Sequence, residues 1–277
     1  MTDISNIARN VTQEASGIWV AHDQQDVSYP EDGNEACFAV EDSSFWFQHR
    51  NSVISDLVRD YSPHDTIFDI GGGNGCVSSA LQRAGQEVVL VEPGRQGACN
   101  AVQRGIGTVI QSTLQDAHFC RDSLPSAGLF DVLEHIEDDT GFLRDIFSYL
   151  RPGGRLYLTV PAYGWLWSAE DVHAGHFRRY TRRLLSDRLR DAGFEVTFSS
   201  YLFSFLVPPI LLFRAIPTRL GLRRRRIASR TKKEHSAGPG FSQALIRHCL
   251  QGERGRIQRR KALWAGSSCI AVAGRPE

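Results

Sequence analysis

The stretch Ile67–Gly75, IFDIGGGNG, places a short apolar run carrying one acid, Asp69, in front of four glycines in five residues. Such a run reads as a buried strand. Glycine-rich backbone directly after a strand lets a ligand lie close without meeting a Cβ. A triphosphate-binding loop needs GxxxxGK[ST], and no lysine follows these glycines, which excludes it. A dinucleotide pattern GxGxxG/A counted from Gly71 puts Cys76 in its third position, an imperfect fit. The spacing D-x-G-x-G-x-G fits in full, with Asp69, Gly71, Gly73 and Gly75, and Gly72 inside it. An acid at the strand end can accept from a ligand's ammonium group. So many glycines are entropically costly for a turn that holds nothing.

Outward from this loop, short apolar runs alternate with helical patterns. TIFDI (66–70), EVVLVE (87–92), GTVIQ (107–111), SAGLFD (126–131), RLYLTVPA (155–162), FEVTFSSY (194–201) and SSCIAVAGRP (267–276) read as seven strands. Helices are expected after the glycine loop up to Gly85, over 95–104, over 139–150 before the LRPGG turn, and through RRLLSDRLRDAG. Upstream, Val53, Ile54, Leu57 and Val58 recur at helical spacing until Pro63. This order predicts an α/β fold, a doubly wound and mostly parallel seven-stranded sheet of Rossmann type. It divides the chain into an N-terminal extension (1–50), to which the resemblance described below adds a lid, a core (51–200), an apolar and basic insertion (201–261) and a final core strand (262–277). Ligands of such sheets sit beyond the carboxyl ends of the strands. Glu92 ends the second strand there, where a carboxylate can take both hydroxyls of a ribose.

The 277 residues suit one large domain or two small ones, and 42% hydrophobic with 23% charged residues is ordinary for a globular chain. The formal net charge of +1 hides an asymmetry. Residues 1–200 hold 16 Lys/Arg against 28 Asp/Glu, whereas residues 201–277 hold 16 against 3. A basic final quarter points to an anionic partner. The six cysteines are scattered without CxxC or metal-ligand spacing, so reduced thiols and no metal site are expected. The first twenty residues lack the apolar run of a signal peptide, which suggests a cytoplasmic chain.

FDIGGGNG, VVLVEPG, LFDVLEHIEDD, LRPGGRLYLTVPA and the terminal SSCIAVAGRP together resemble the class I S-adenosylmethionine-dependent methyltransferases, in their small-molecule branch (type 11/23-like). The resemblance covers about residues 45–200 and the last strand. It implies S-adenosylmethionine as cofactor and S-adenosylhomocysteine as product. Asp69, Gly71, Gly72, Gly73 and Gly75 would wrap its methionine and ribose parts, and Glu92 with Pro93 would hold the ribose hydroxyls. Thr113 and Leu114 would lie at the adenine, although the acid usual in that turn is missing. Asp131 either touches the cofactor or caps the next helix. Glu134 and His135 stabilise the start of that helix and line the cofactor site.

Methyl transfer needs alignment of the acceptor, exclusion of water and removal of a proton. The segment AYGWLWSAEDVHAGHFRRYT (162–181) would lie beside the cofactor. Trp165 and Trp167 suit an apolar acceptor, His173 and His176 can accept a proton near neutral pH, and Arg178 and Tyr180 can hold polar groups. The alternative is that Arg178 and Tyr180 tie this loop to the next helix, with Thr181 as its N-cap. SFWFQHRN (44–51) resembles the lid element of relatives, which would put Trp46 and Arg50 over the acceptor. Simple packing of Phe45 and Trp46 is the rival.

YLFSFLVPPILLF (201–213) has thirteen residues, short of the roughly 20 that span a bilayer. From Arg214 to Lys233 nine residues are basic and none is acidic. The pair matches peripheral contact with an anionic membrane at its inner face. A nucleic-acid partner fits less well, because the basic segment lacks interleaved aromatics. A mobile, solvated loop over 228–240 is the plain alternative. The expected function is methyl transfer to an oxygen or nitrogen of a small or lipid-like metabolite. A non-catalytic S-adenosylmethionine-binding module docking on membrane or RNA, and an NAD-linked oxidoreductase, are the rivals.

Overall fold

Strands that are apolar on both faces belong in the middle of a covered sheet, and the computed structural model, which describes residues 3–22, 38, 40–221 and 241–277, puts them there. The strands are β1 Val11–Gln13, β2 Trp19–Ala21, β3 Ile67–Ile70, β4 Val88–Val91, β5 Thr108–Gln111, β6 Leu124–Phe130, β7 Leu150–Pro161, β8 Glu195–Leu202 and β9 Ser268–Gly274. They form one sheet in the order β1-β2-β5-β4-β3-β6-β7-β9-β8. Every residue of β3, β4 and β9 is buried.

The seven expected strands are β3 to β9. Two more extend the sheet to nine, as the hairpin of β1 and β2 joins the edge through Trp19↔Ile110 and Val20↔Gln111. Each is three residues long, and Val11–Gln13 carries no apolar run, so no periodicity announces it. The pairs from β2 to β7 are parallel, whereas β9 runs antiparallel between β7 and β8. Strand order reverses between β3 and β6, which opens a crevice at the carboxyl edge.

Among the described residues the longer helices are α1 Phe45–Tyr61, α2 Cys76–Arg83, α3 Arg95–Gln103, α4 Asp139–Tyr149, α5 Ala169–Ala174, α6 Arg182–Asp191 and α7 Phe241–Gln258. Local chemistry starts them: Ser44 accepts from Trp46 N at α1, Asp138 from Gly141 N at α4, and Thr181 from Leu184 N at α6. Val53, Ile54, Leu57 and Val58 turn the buried face of α1 inward, as their spacing predicts.

Within the insertion, the apolar stretch continues β8 to Leu202 and then coils through Val207–Ile210, Leu211–Ala215 and Ile216–Arg219. Pro208 and Pro209 stand in the first turn, where a missing N–H costs nothing. The loop expected over 228–240 lies outside the described residues, as does most of the basic run. Helix α7 docks on α1. Arg254 grips Asp56 with two bonds of 2.5 and 2.9 Å, and Gln258 adds a third of 2.9 Å. Glu253, 6% exposed, accepts from Phe203 N (2.7 Å) and Ser204 N (3.1 Å) and meets His49 Nε2 at 2.9 Å. One buried carboxylate therefore fastens the turn after β8, helix α7 and helix α1 together.

Replacing Glu253 with alanine orphans two backbone N–H groups and the His49 ring. The expected loss is about 2–4 kcal/mol of unfolding free energy, read by chemical denaturation against the wild-type chain. A loss below about 0.5 kcal/mol would mean that the junction is held by packing alone.

Candidate functional site

The glycine loop leaves β3 at the strand-order reversal and enters α2 through Gly75, which is in the left-handed conformation. A Cβ on Gly72 would stand 2.9 Å from the Leu90 side chain and 3.0 Å from Asp69 Oδ2, so the loop is pressed onto the ends of β3 and β4. Gly73 is the opposite case: with φ +53°, a Cβ there would meet nothing within 4 Å, because the loop faces open space at this point. Gly71 and Gly75 flank it with φ +70° and +76°.

Glu92 organises the loop. Its Oε2 accepts from Gly73 N and its Oε1 from Gly94 N, both at 2.8 Å. Burial pushes its carboxyl pKa up, against the pull of these two N–H donors. Pro93, half-buried, starts the turn into α3. Ser112 N donates to Glu92 O at 3.2 Å, which brings the turn of Thr113 and Leu114 alongside. Thr113 Oγ1 accepts from Asp116 N at 3.0 Å, and Leu114 is buried. Asp69 is 1% exposed, and its Oδ2 accepts from Ser78 Oγ at 2.6 Å, which ties β3 to α2 beneath the loop.

Across the crevice, Asp131 follows β6 with φ +60°, an uncommon conformation for a side-chain-bearing residue. Thr159 Oγ1 donates to its Oδ1 at 3.1 Å, its N–H bonds Thr159 O at 2.9 Å, and Arg50 Nη1 ion-pairs with its Oδ2. The buried Arg50 guanidinium lies 4.7 Å from the Trp46 ring centre and 5.2 Å from that of Phe47. Trp46 stacks on Phe203 at 5.2 Å and 12°. The expected lid residues therefore reach the crevice as a unit, through Arg50.

The 162–181 segment divides into two sets. Asp171, in α5, accepts two bonds from Arg179 (2.7 and 3.0 Å) and one from His176 Nδ1 (2.9 Å). Burial works against its ionisation, yet these donors hold its carboxyl well below the usual carboxylate range. Phe177 N donates to Glu134 O at 2.8 Å, so His176 is set against His135 with ring centres 4.7 Å apart at 85°. Burial first, and the His176 charge second, lower the His135 pKa to about 4. Burial and then Asp131 push the Glu134 carboxyl well up.

The second set is a brace on α4. Arg178 ion-pairs with Asp139 at 2.8 Å and donates to Glu137 O at 2.5 Å, while Tyr180, fully buried, donates to Asp139 at 3.0 Å. This is the loop-tying arrangement. His173 is exposed on α5 and makes no hydrogen bond or ion pair with the described residues. Trp167 is half-buried, and Trp165 is 41% exposed and stacked on Tyr163 at 5.0 Å. Sequence reasoning missed Asp171, Ser78 and Thr159. Ser168-x-x-Asp171, a capping box at α5, was the readable hint for the first. The other two act through partners distant in the chain.

Burial raises the Asp69 pKa from its ordinary 3.8 to about 6. Between these values the folded chain holds a proton that the unfolded chain has released. Stability therefore falls as pH rises through that window, and the penalty stays in full above it. Asp69→Asn keeps an acceptor for Ser78 and removes the charge. Without ligand, the variant is expected to unfold at pH 7 with up to about 3 kcal/mol more free energy than wild type. The gap should close below about pH 4. Parallel denaturation curves at several pH values check this, and a pH-independent difference would refute it.

Over residues 46–198 the chain matches the sequence family described as methyltransferase domain. It is 28% identical over 100 residues to the ubiquinone biosynthesis O-methyltransferase of Aeromonas salmonicida, covering 34% of this chain and 42% of that one. The chain thus spans about two fifths of the curated relatives it matches. Solved structures that share the fold include two methyltransferases. One is an S-adenosylmethionine-dependent methyltransferase from Thermotoga maritima, with TM-score 0.55, 16% identity and coverage of 88% of this chain and 95% of that one. The other is Haemonchus contortus phosphoethanolamine N-methyltransferase 2 in complex with S-adenosyl-L-methionine, with TM-score 0.56, 15% identity and coverage of 91% and 58%. The family match takes in more than half of the chain and the whole glycine-loop crevice: this protein belongs to the methyltransferase-domain family.

Proposed function

We propose that this protein is an S-adenosylmethionine-dependent methyltransferase acting on an oxygen or nitrogen of a small or lipid-like metabolite. The observation that carries the reading is the Glu92 clamp, with Gly73 and Gly94 N–H groups on one carboxylate beside a loop that is open at Gly73. A flat, side-chain-free cradle next to a buried acid fits a nucleoside with vicinal hydroxyls. S-adenosylmethionine, when bound, supplies a methyl group activated by a sulfonium.

The chain's residues bind, orient and exclude water. Glu92, already fixed by two donors, keeps lone pairs for the ribose hydroxyls. Asp69 holds α2 against the loop through Ser78. Thr113 and Leu114 form the wall beside Glu92, and the ion pair of Arg50 with Asp131 holds the lid helix over the crevice. In the overall reaction the bond from methyl to sulfur breaks as the bond to the acceptor forms. The leaving electron pair neutralises the sulfonium, and the acceptor's proton departs. Alignment of this kind supplies up to about 7–11 kcal/mol in intramolecular analogues.

The lipid-like part of the reading rests on exposed apolar side chains beside the 162–181 segment. Leu212, Phe213 and Leu220 are 56%, 65% and 66% exposed, and Val172 on α5 is 66% exposed. Arg219 donates to Trp165 O at 2.9 Å, which joins the two groups. Among the described residues no helix is long and apolar enough to cross a membrane. A surface contact, drawn by the basic residues that follow in the sequence, is the reading these features support.

Titration calorimetry with S-adenosylmethionine and S-adenosylhomocysteine is the direct test. Binding is expected, with Glu92→Ala weakening it at least about 10-fold, the loss of roughly 1.4 kcal/mol. Absence of binding for both would overturn the reading. Methyl label from S-adenosylmethionine, offered with a cell lysate, is expected in the organic extract. Label confined to the aqueous phase would remove the lipid-like acceptor. Flotation with vesicles rich in anionic lipid tests the surface: Phe213→Asp with Leu220→Asp should cut vesicle binding about 10-fold or more. Undiminished binding would refute the apolar contact.

A further inference from the structure

We propose that Glu134, His135 and His176 form a site for one divalent cation of the zinc type, oriented from behind by Asp171. Each of the three offers one ligand atom, and these atoms all lie within 4.8 Å of one another. They come from two elements, the turn after Asp131 and the loop after α5, which the bond from Phe177 N to Glu134 O holds together.

Three observations point to a ligand rather than to ordinary packing. Glu134 is 1% exposed, and its Oε2 has no hydrogen-bond partner. Leaving a buried acceptor unmatched is unfavourable, more so when it is charged, and a cation bound to it removes that cost. Next, the imidazoles are backed in the way metal ligands are. His176 Nδ1 bonds Asp171 Oδ1 at 2.9 Å, which directs Nε2 to the other side of the ring. Asp171 is itself locked by two bonds from Arg179, so the ring is not free to swing. The Ala174 backbone bonds His135. Last, the two rings meet edge to face with centres 4.7 Å apart. Two imidazoles on one tetrahedral ion, with bonds of about 2.0–2.1 Å, place their ring centres roughly 5 Å apart.

The donor set decides the class of ion. Two imidazoles and one carboxylate suit Zn2+ or Co2+ better than Mg2+, which prefers an all-oxygen shell. Three protein ligands leave an open position, the hallmark of a site that works on a bound group rather than one that only holds the fold. Asp131 is not counted among the ligands, since Arg50 and Thr159 engage its carboxylate. The site stands on geometry alone. Its role rests on the methyl-transfer reading: Glu134 and His135 follow Asp131 in the turn after β6, so an ion held there would be placed to bind an acceptor hydroxyl and ease loss of its proton.

The test uses the full chain stripped of metal and titrated with Zn2+, then with Co2+, whose visible spectrum reports coordination. One ion per chain is expected, with the Co2+ spectrum of a four- or five-coordinate site. Glu134→Gln and His176→Ala should each weaken binding at least 100-fold, and Asp171→Asn, acting as a positioning change, about 10–100-fold. Glu134→Gln is nearly isosteric, so it decides the matter should His176→Ala fail to fold. No stoichiometric binding, or binding undisturbed by Glu134→Gln, overturns the proposal. S-adenosylmethionine binding, measured on the same metal-free chain, separates the two readings. A chain that binds cofactor and no metal keeps the methyltransferase reading and loses this one, and the reverse result does the opposite.

Discussion

A carboxylate removed from water must be given donors, and at the carboxyl edge of this sheet that constraint decides which elements meet. Glu92 takes its donors from the backbone of two loops and thereby shapes the cradle. Asp69 takes Ser78 and so fixes α2. Asp131 takes Arg50 from α1, and Asp171 takes Arg179 and His176 from its own loop. Asp139 takes Arg178 and Tyr180, and Glu253 takes the turn after β8. Apart from Asp171, which folds its own loop onto itself, each acid joins segments that the strands alone leave unconnected. The apolar core sets the sheet, and the acids then fix the crevice.

The same constraint explains what could be read in the sequence. Local patterns were legible: strands β3 to β9, the glycine loop, Glu92 at its strand end and Thr181 as a helix cap all follow from spacing within a few residues. The two-strand extension was hidden, because three-residue strands carry no period. So was helix α7, whose charges mask its apolar side. The partners of the buried acids were illegible for a different reason. Arg50 and Asp131 are 81 positions apart, and Asp56 and Arg254 are 198 apart. No pattern within one segment encodes such pairs. Arg178 and Tyr180 show the limit most plainly, since the same residue types serve a binding site or a brace, and only the position of Asp139 distinguishes them.

Strain is gathered at the same edge. Asp131, Tyr163 and Phe203, none a glycine, have φ of +60°, +58° and +59°. They follow β6, β7 and β8 in turn, and these strands run in the same direction. Left-handed residues with side chains cost roughly 1–3 kcal/mol each and persist where surroundings over-determine them. Here the surroundings are identifiable: Thr159 and Arg50 around Asp131, the stacked rings of Trp165 and Tyr201 around Tyr163, and Trp46 with Glu253 around Phe203. The chain is turned sharply at each of these strand ends.

Those three turns also connect the insertion to the site. Phe203 precedes the apolar helical turns of 204–219, and Glu253 of α7 holds its N–H while meeting His49 of α1. The coil in turn receives Ala169 N on Thr218 at 3.2 Å, at the start of the helix that carries Asp171. The described part of the insertion is therefore bonded in two directions. One bond runs through Glu253 to His49 of α1; the other runs through Thr218 to the start of α5, the helix that carries Asp171. Each bond is made by a polar group removed from most of the solvent, so the same constraint that shapes the crevice also fixes this segment to the elements around it.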